Sequence, residues 1–151
     1  MKFFVRRVVT QAAGILGLLL STGCLSDNPG SSSLAYIDIE SHGADAVRAE
    51  TVRVFADDNY RLVGDAAGRL IFEREATQRD RVLFGRYGDE QVIMRVTVSI
   101  APRRQGGCLL RSDAYAVRDG SEEPISRVAR RPYQDQLNRV KASLVSAGGN
   151  R

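Results

Sequence analysis

From residue 34 onward the chain switches between two hydrophobic periods. In "LAYIDIE", residues 34–40, Ala35, Ile37 and Ile39 fall on one face, and Tyr36, Asp38 and Glu40 on the other. That alternation predicts a half-buried strand. Val47, Thr51, Val54 and Phe55 then recur at helical spacing and predict a helix to about Asp57 with one buried stripe. Ser41 or His42 is expected near its N-cap, with Asp45 in the first turn. Tyr60 to Val63 and "RLIFERE", with Leu70 and Phe72 on one face, read as a hairpin about the turn "GDAAGR".

The longest alternation is "EQVIMRVTVSIA". Val92, Met94, Val96, Val98 and Ile100 point one way, and Gln91, Arg95, Thr97 and Ser99 the other, with Ile93 as the exception. One apolar and one polar face is the pattern of an antiparallel sheet open to water on one side. After the turn "PRRQGG", "CLLRSDAYAVRD" returns as a partner strand. Its small residues Ser112, Ala114 and Ala116 leave room for a close helix, while Tyr115 and Val117 lie on the opposite face as a candidate sticky patch. "GSEEPISRVARRP" reads as a connection with one helical turn. A last helix starts near Pro132, a favoured first-turn residue, with Tyr133, Leu137, Val140 and Leu144 on one face before "AGGNR" stops it.

The order β-α-β-β-β-β-α predicts an α+β domain: a mainly antiparallel sheet of about five strands, with two helices packed on one face. The domain is placed at residues 34–147, with a tail at 148–151. Residues 76–89, "ATQRDRVLFGRYGD", fit neither period. They read as a short helix or a semi-ordered loop; Leu83 and Phe84 tucked into the core edge is favoured over a binding loop.

The chain starts differently. Lys2, Arg6 and Arg7 precede an apolar run that is densest from Ala12 to Leu20, with Thr10 and Gln11 before it and Ser21 and Thr22 after it. A membrane-spanning helix needs roughly 20 consecutive apolar residues. A basic start, a short apolar run and small residues after it match a secretory signal better.

The run ends in Ser21-Thr22-Gly23-Cys24. This ending resembles the lipobox of bacterial lipoprotein signals. The resemblance covers residues 1–24 and implies cleavage between Gly23 and Cys24, where the peptidase needs a small side chain. It also implies a diacylglycerol on the Cys24 sulfur, thiolates being strong nucleophiles. The finished lipoprotein of this kind carries three palmitate-type chains, which hold stably where a single chain is marginal. The usual Leu stands at Leu20, one place further out than the commonest pattern, with Ser21 in its slot. Leu25 after the Cys implies outer-membrane sorting under the enterobacterial rule. The competing readings are an ordinary signal peptide cut at the same small residues and an uncleaved N-terminal anchor. Arg6-Arg7 raises a twin-arginine signal that the following residues fit poorly.

With residues 1–23 as a signal, 24–33 form the lipidated Cys and a polar tether, "CLSDNPGSSS". A coil of about nine residues spans roughly 15–18 Å, which keeps the domain near the membrane. The layout of the domain loosely resembles small envelope lipoprotein domains, including those of outer-membrane assembly lipoproteins, on topology alone.

Charge excludes a function class. The chain has a net charge of +4, but without Lys2, Arg6 and Arg7 its 22 basic residues fall to 19 against 18 acidic ones, a net of +1. Nucleic-acid binders concentrate basic charge on one face, whereas Arg here alternates with Asp and Glu. The densest basic stretch, "SRVARRPY" at 126–133, reads as a solvated face before a helix. No nucleic-acid partner is expected.

Candidate chemistry is sparse. There are two cysteines. Acylation of Cys24 would leave Cys108 without an intramolecular partner, and Cys108 reads as a small buried hydrophobe. One His, His42, excludes His-rich metal sites. Ser41, His42 and Asp45 are too close in sequence to face one another as a triad does. Asp57-Asp58 and Glu122-Glu123 read as turn and cap residues. No phosphate loop, dinucleotide fingerprint or Cys-x-x-Cys pair occurs. No catalytic residue, metal or cofactor is expected. The chain reads as a lipid-anchored cell-envelope protein facing the periplasm, a binding module rather than an enzyme. It would be held to the membrane by its lipid anchor, and an envelope-protein partner would meet Phe84, Tyr87 and Tyr115. The alternatives are a soluble periplasmic domain with a Cys24–Cys108 disulfide and an enzyme with an unrecognised site.

Overall fold

Val92, Met94, Val96, Val98 and Ile100 are all buried, and they set the centre of the molecule along strand β4 (Ile93–Pro102). The computed structural model describes residues 33–66, 68–85 and 91–148. In chain order these form β1 (Ala35–Ile39), α1 (Ala44–Asp57), β2 (Arg61–Ala66), β3 (Arg69–Glu75), α2 (Gln78–Phe84), β4, β5 (Cys108–Arg118), β6 (Ser121–Pro124), a 3-10 turn (Arg127–Ala129) and α3 (Arg131–Gly148). This is the expected α+β order with a third helix and a sixth strand added.

The sheet is antiparallel throughout, in the order β1-β5-β4-β3-β2. β5 shares its outer edge between β1, along Cys108–Ser112, and β6, along Tyr115–Arg118. Across the middle, Phe72 pairs with Val96 and Val96 with Ala114. Side-chain size thus falls along this row from Phe72 to Ala114, and a helix can come down onto the sheet there.

Both long helices cover that face. α1 buries Val47, Thr51, Val54 and Phe55, the stripe expected from their spacing. The Thr51 hydroxyl donates to the Val47 carbonyl at 2.7 Å, which satisfies a polar group that the stripe takes into the core. Phe55 stacks on Phe72 at 4.5 Å between centroids. α3 buries Tyr133, Leu137, Val140 and Leu144 as expected, and Gln136 besides. Arg53 of α1 donates to the Ser143 hydroxyl of α3 at 2.9 Å and ties the two helices at their solvent edge.

Several local expectations are corrected. The residue capping α1 is Gly43, not Ser41 or His42; Ser41 takes a left-handed φ of 61° and the His42 ring turns back to the Glu40 carbonyl. Leu83 is 58% exposed, and only Phe84 of that pair packs against the core. Thr97 is buried on the otherwise open sheet face, between Ile71 of β3 and Asp113 of β5.

The β1 edge is closed by a side chain. The Gln134 amide on α3 accepts from the Tyr36 N–H at 3.4 Å and donates to the Tyr36 carbonyl at 3.0 Å. Capping the Tyr36 groups in this way makes that stretch of the edge a poorer template for another chain. No described helix is long and apolar enough to cross a membrane.

Candidate functional site

The end of α1, the start of β2, the end of β3, the N-cap of α2 and the first turns of α3 surround a cleft of 750 Å³. Tyr60 forms its floor. Its ring meets Phe55 edge-on at 5.5 Å, so the core aromatic stack continues into the cleft wall. The Arg74 guanidinium lies over the Tyr60 ring, 4.9 Å from its centroid. Arg74 also pairs with Asp80 at 2.8 Å. Asp80 closes a capping box with Thr77: it accepts from the Thr77 N–H at 2.9 Å and the Thr77 hydroxyl at 2.7 Å. On the opposite wall, Asp58 at the end of α1 accepts from Gln136 Nε2 at 2.7 Å and pairs with Arg139. The Gln136 Oε1 is buried without a donor among the described residues.

The electrostatics reinforce the charge states these groups hold at neutral pH. Burial pushes the Tyr60 hydroxyl up, against the pull of Arg74. Burial also pushes the Tyr133 hydroxyl far above the usual phenol range. Burial alone would raise Asp80, but the hydrogen bonds from Thr77 and Arg74 outweigh it and hold the carboxyl low. Arg74 loses from burial and gains more from Tyr60 and Asp80, so its affinity for its proton rises. Each shift leads away from neutrality, the reverse of what a general acid or base needs. The cleft can hold a ligand by hydrogen bonds and fixed charge.

Helix α2 depends on this corner, because none of its residues is fully buried. Thr77→Ala is expected to loosen it by about 1 kcal/mol, read as faster hydrogen exchange at the amides of residues 79–84 with little change in global stability. The folded pKa of Asp80 is lowered, so its contribution is fully present above the ordinary Asp range and is lost as pH falls below that range through the lowered folded value. The same amides should therefore open in acid before the rest of the domain. Uniform acid opening across the domain would contradict this assignment.

Of the three residues expected to form a contact surface, Tyr115 and Phe84 lie on opposite sides of the sheet. Tyr115 points to the open face of the sheet, in a groove with Val63, Ile71 and Thr97. That groove is charged as well as apolar: Arg95 bonds Glu73 at 2.7 Å and also pairs with Glu122, and both acids strengthen its hold on its proton. Phe84 lies on the helix side, in a separate groove with Ala116, Arg118 and Pro124. Tyr115 and Ala116 are consecutive in a strand, so they face opposite ways. Tyr87 lies outside the described residues, as do Gly23, Cys24 and the signal and tether up to residue 32.

Cys108 is 1% exposed and its Sγ donates to the His42 carbonyl at 3.7 Å. Burial pushes its thiol up, which keeps it protonated and inert. Among the described residues, no group of three or more His, Cys, Asp or Glu side chains could hold a metal ion.

The cleft residues Tyr60, Arg74 and Gln136, and Asp80 behind Arg74, were not expected from the sequence. Only the Thr77-x-x-Asp80 spacing signals part of it, as a helix start. No known protein-family model matches the chain, and a search of curated proteins returns no match.

Proposed function

We propose that the protein is a lipid-anchored cell-envelope protein, held to the membrane through Cys24, whose domain binds another envelope component. The observation that carries this reading is the Ser-Thr-Gly-Cys ending at 21–24, after a basic start and a short apolar run. The start of the domain supports it. Leu34, ten residues after Cys24, is already buried and its N–H donates to Asp113 at 2.9 Å. The burial of Cys108 also supports it, because a disulfide to Cys24 would have to draw that sulfur out of the core. The cleft beside Tyr60 and Arg74, with fixed charges and a Gln136 oxygen that has no donor among the described residues, suits binding rather than proton transfer. Leu25 favours the outer membrane as the site.

The test is the intact mass of the mature N-terminal peptide from a membrane fraction of the native source. The expected peptide starts at Cys24 and carries the added mass of acyl chains. A bare Cys24, or one linked to Cys108, overturns the proposal.

A further inference from the structure

We propose that the turn at Arg127–Ala129 and the arginines that follow it form a membrane-docking element. It would seat the anchored domain on anionic phospholipid headgroups, with Val128 entering the headgroup boundary. The inference rests on the lipid-anchor reading and adds an oriented surface to it.

Three observations converge on this turn. The first is shape. Val128 is 96% exposed, the most exposed large hydrophobic residue among those described. It is held out by a bonded turn: Ala129 N–H donates to the Ser126 carbonyl at 2.9 Å and Arg130 N–H to the Arg127 carbonyl at 3.2 Å. Buried Ile125, bonded to the Ala114 carbonyl at 2.9 Å, and buried Tyr133 pin the turn on either side. An apolar side chain presented on a preformed turn costs little backbone ordering when it meets a membrane boundary.

The second observation is charge. Residues 126–133 contain Arg127, Arg130 and Arg131 and no acid. All three arginines are exposed. The nearest acid in sequence, Asp135, meets Arg131 only at 3.9 Å, with both groups in solvent. Guanidinium groups suit phosphate oxygens, and each basic residue near an anionic surface contributes on the order of five-fold in affinity.

The third is position. Arg130 donates to Gln134 at 3.1 Å, Gln134 holds both outward groups of Tyr36, and the Arg130 guanidinium lies 6.0 Å from the Tyr36 ring centroid. The turn therefore sits beside the start of β1, where the chain arrives from Cys24. Ten residues reach at most about 35 Å, and as a coil roughly 16–19 Å. A lipid at Cys24 holds the surface within that range of this part of the domain.

The experiment uses the mature lipidated protein in phospholipid vesicles. The chain contains no tryptophan, so Val128→Trp places a single indole on the turn. On vesicles containing phosphatidylglycerol, its emission is expected to shift to the blue and to be quenched by brominated acyl chains. On phosphatidylcholine alone, it should stay at the solvent wavelength. Adding Arg127→Gln and Arg131→Gln should weaken docking on the order of 25-fold while the protein stays on the vesicle through its lipid. Val145→Trp, late on α3, should remain in solvent on both vesicles. The mass of the same sample separates the two ideas. An acylated Cys24 with a solvent-exposed indole at position 128, or with equal shifts on both lipids, overturns docking and leaves the anchor standing. An unacylated Cys24 removes the anchor, and the docking proposal with it.

Discussion

Phe72→Ala is expected to destabilise the domain by about 3–5 kcal/mol, a large share of the roughly 5–15 kcal/mol that holds a domain of this kind together. The ring is fully buried and sits where the sheet meets α1. It stacks on Phe55 at 4.5 Å, and Phe55 in turn supports Tyr60 edge-on. Along the ladder its neighbours are Leu62 and Val96. The void left by the ring would be bounded by β-strand backbone on one side and a helix on the other, neither of which can collapse into it cheaply. Part of the loss should appear in the cleft, since Arg74 rests on Tyr60 and Tyr60 on Phe55. Urea unfolding followed by far-ultraviolet circular dichroism checks the magnitude. A loss below about 1 kcal/mol would mean that the stack is not the centre of the core.

What could be read from the chain follows from where burial is periodic. The stripe on α1, the alternation through β4 and the face of α3 were legible because each buries one side and wets the other. β6 was not, because all four of its residues are exposed and it is held by backbone pairing to β5. Its signal was local: Asp119 and Gly120 take φ values of 47° and 78°, the conformation that a two-residue hairpin turn demands and that Asp-Gly supplies. α2 was equivocal for the same reason. It has no buried stripe, and only the Thr77–Asp80 capping box marks its start.

Sites were harder to read than elements. Phe84, Tyr87 and Tyr115 offer one contact surface when read as a string, yet strand parity separates Tyr115 from Ala116, and it is Ala116 that borders Phe84. The cleft joins Tyr60 from the α1–β2 connection, Arg74 of β3 and Gln136 of α3, with Asp80 of α2 holding Arg74. None of these residues carries a linear signal toward the others, and only the sheet order and the docking of α3 bring them together. The lipobox-like ending is the opposite case. A processing signal acts on an extended stretch of chain, so its chemistry is written in consecutive residues. The same contrast explains the basic stretch at 126–133. As a string it resembles any solvated face, and only the contacts of Gln134 and Arg130 set it against the first strand, β1.

That strand is also where the second large effect is expected. Gly107→Ala should cost about 3 kcal/mol or more, while Gly106→Ala should cost about 1 kcal/mol. Both glycines lie in the β4–β5 turn with left-handed φ, 77° and 89°, so both substitutions carry the backbone penalty. They differ in what a methyl group would meet. At Gly106 nothing lies within 4 Å; at Gly107 the new carbon would fall 2.2 Å from the Ile39 carbonyl oxygen and 3.1 Å from the Glu40 Cα. Those are backbone atoms at the end of β1, and they cannot swing aside as a flexible side chain would. Relief requires β1 to shift against β5, where Ile39 pairs with Cys108. The Cys108 thiol bonded to the His42 carbonyl would be disturbed with it. Thermal melts of the two variants measure the difference, and hydrogen exchange across residues 35–39 locates it. Equal melting temperatures would show that β1 is not wedged against the turn. A selective loss of protection in β1 would show that one glycine holds in place the strand by which the chain enters the domain.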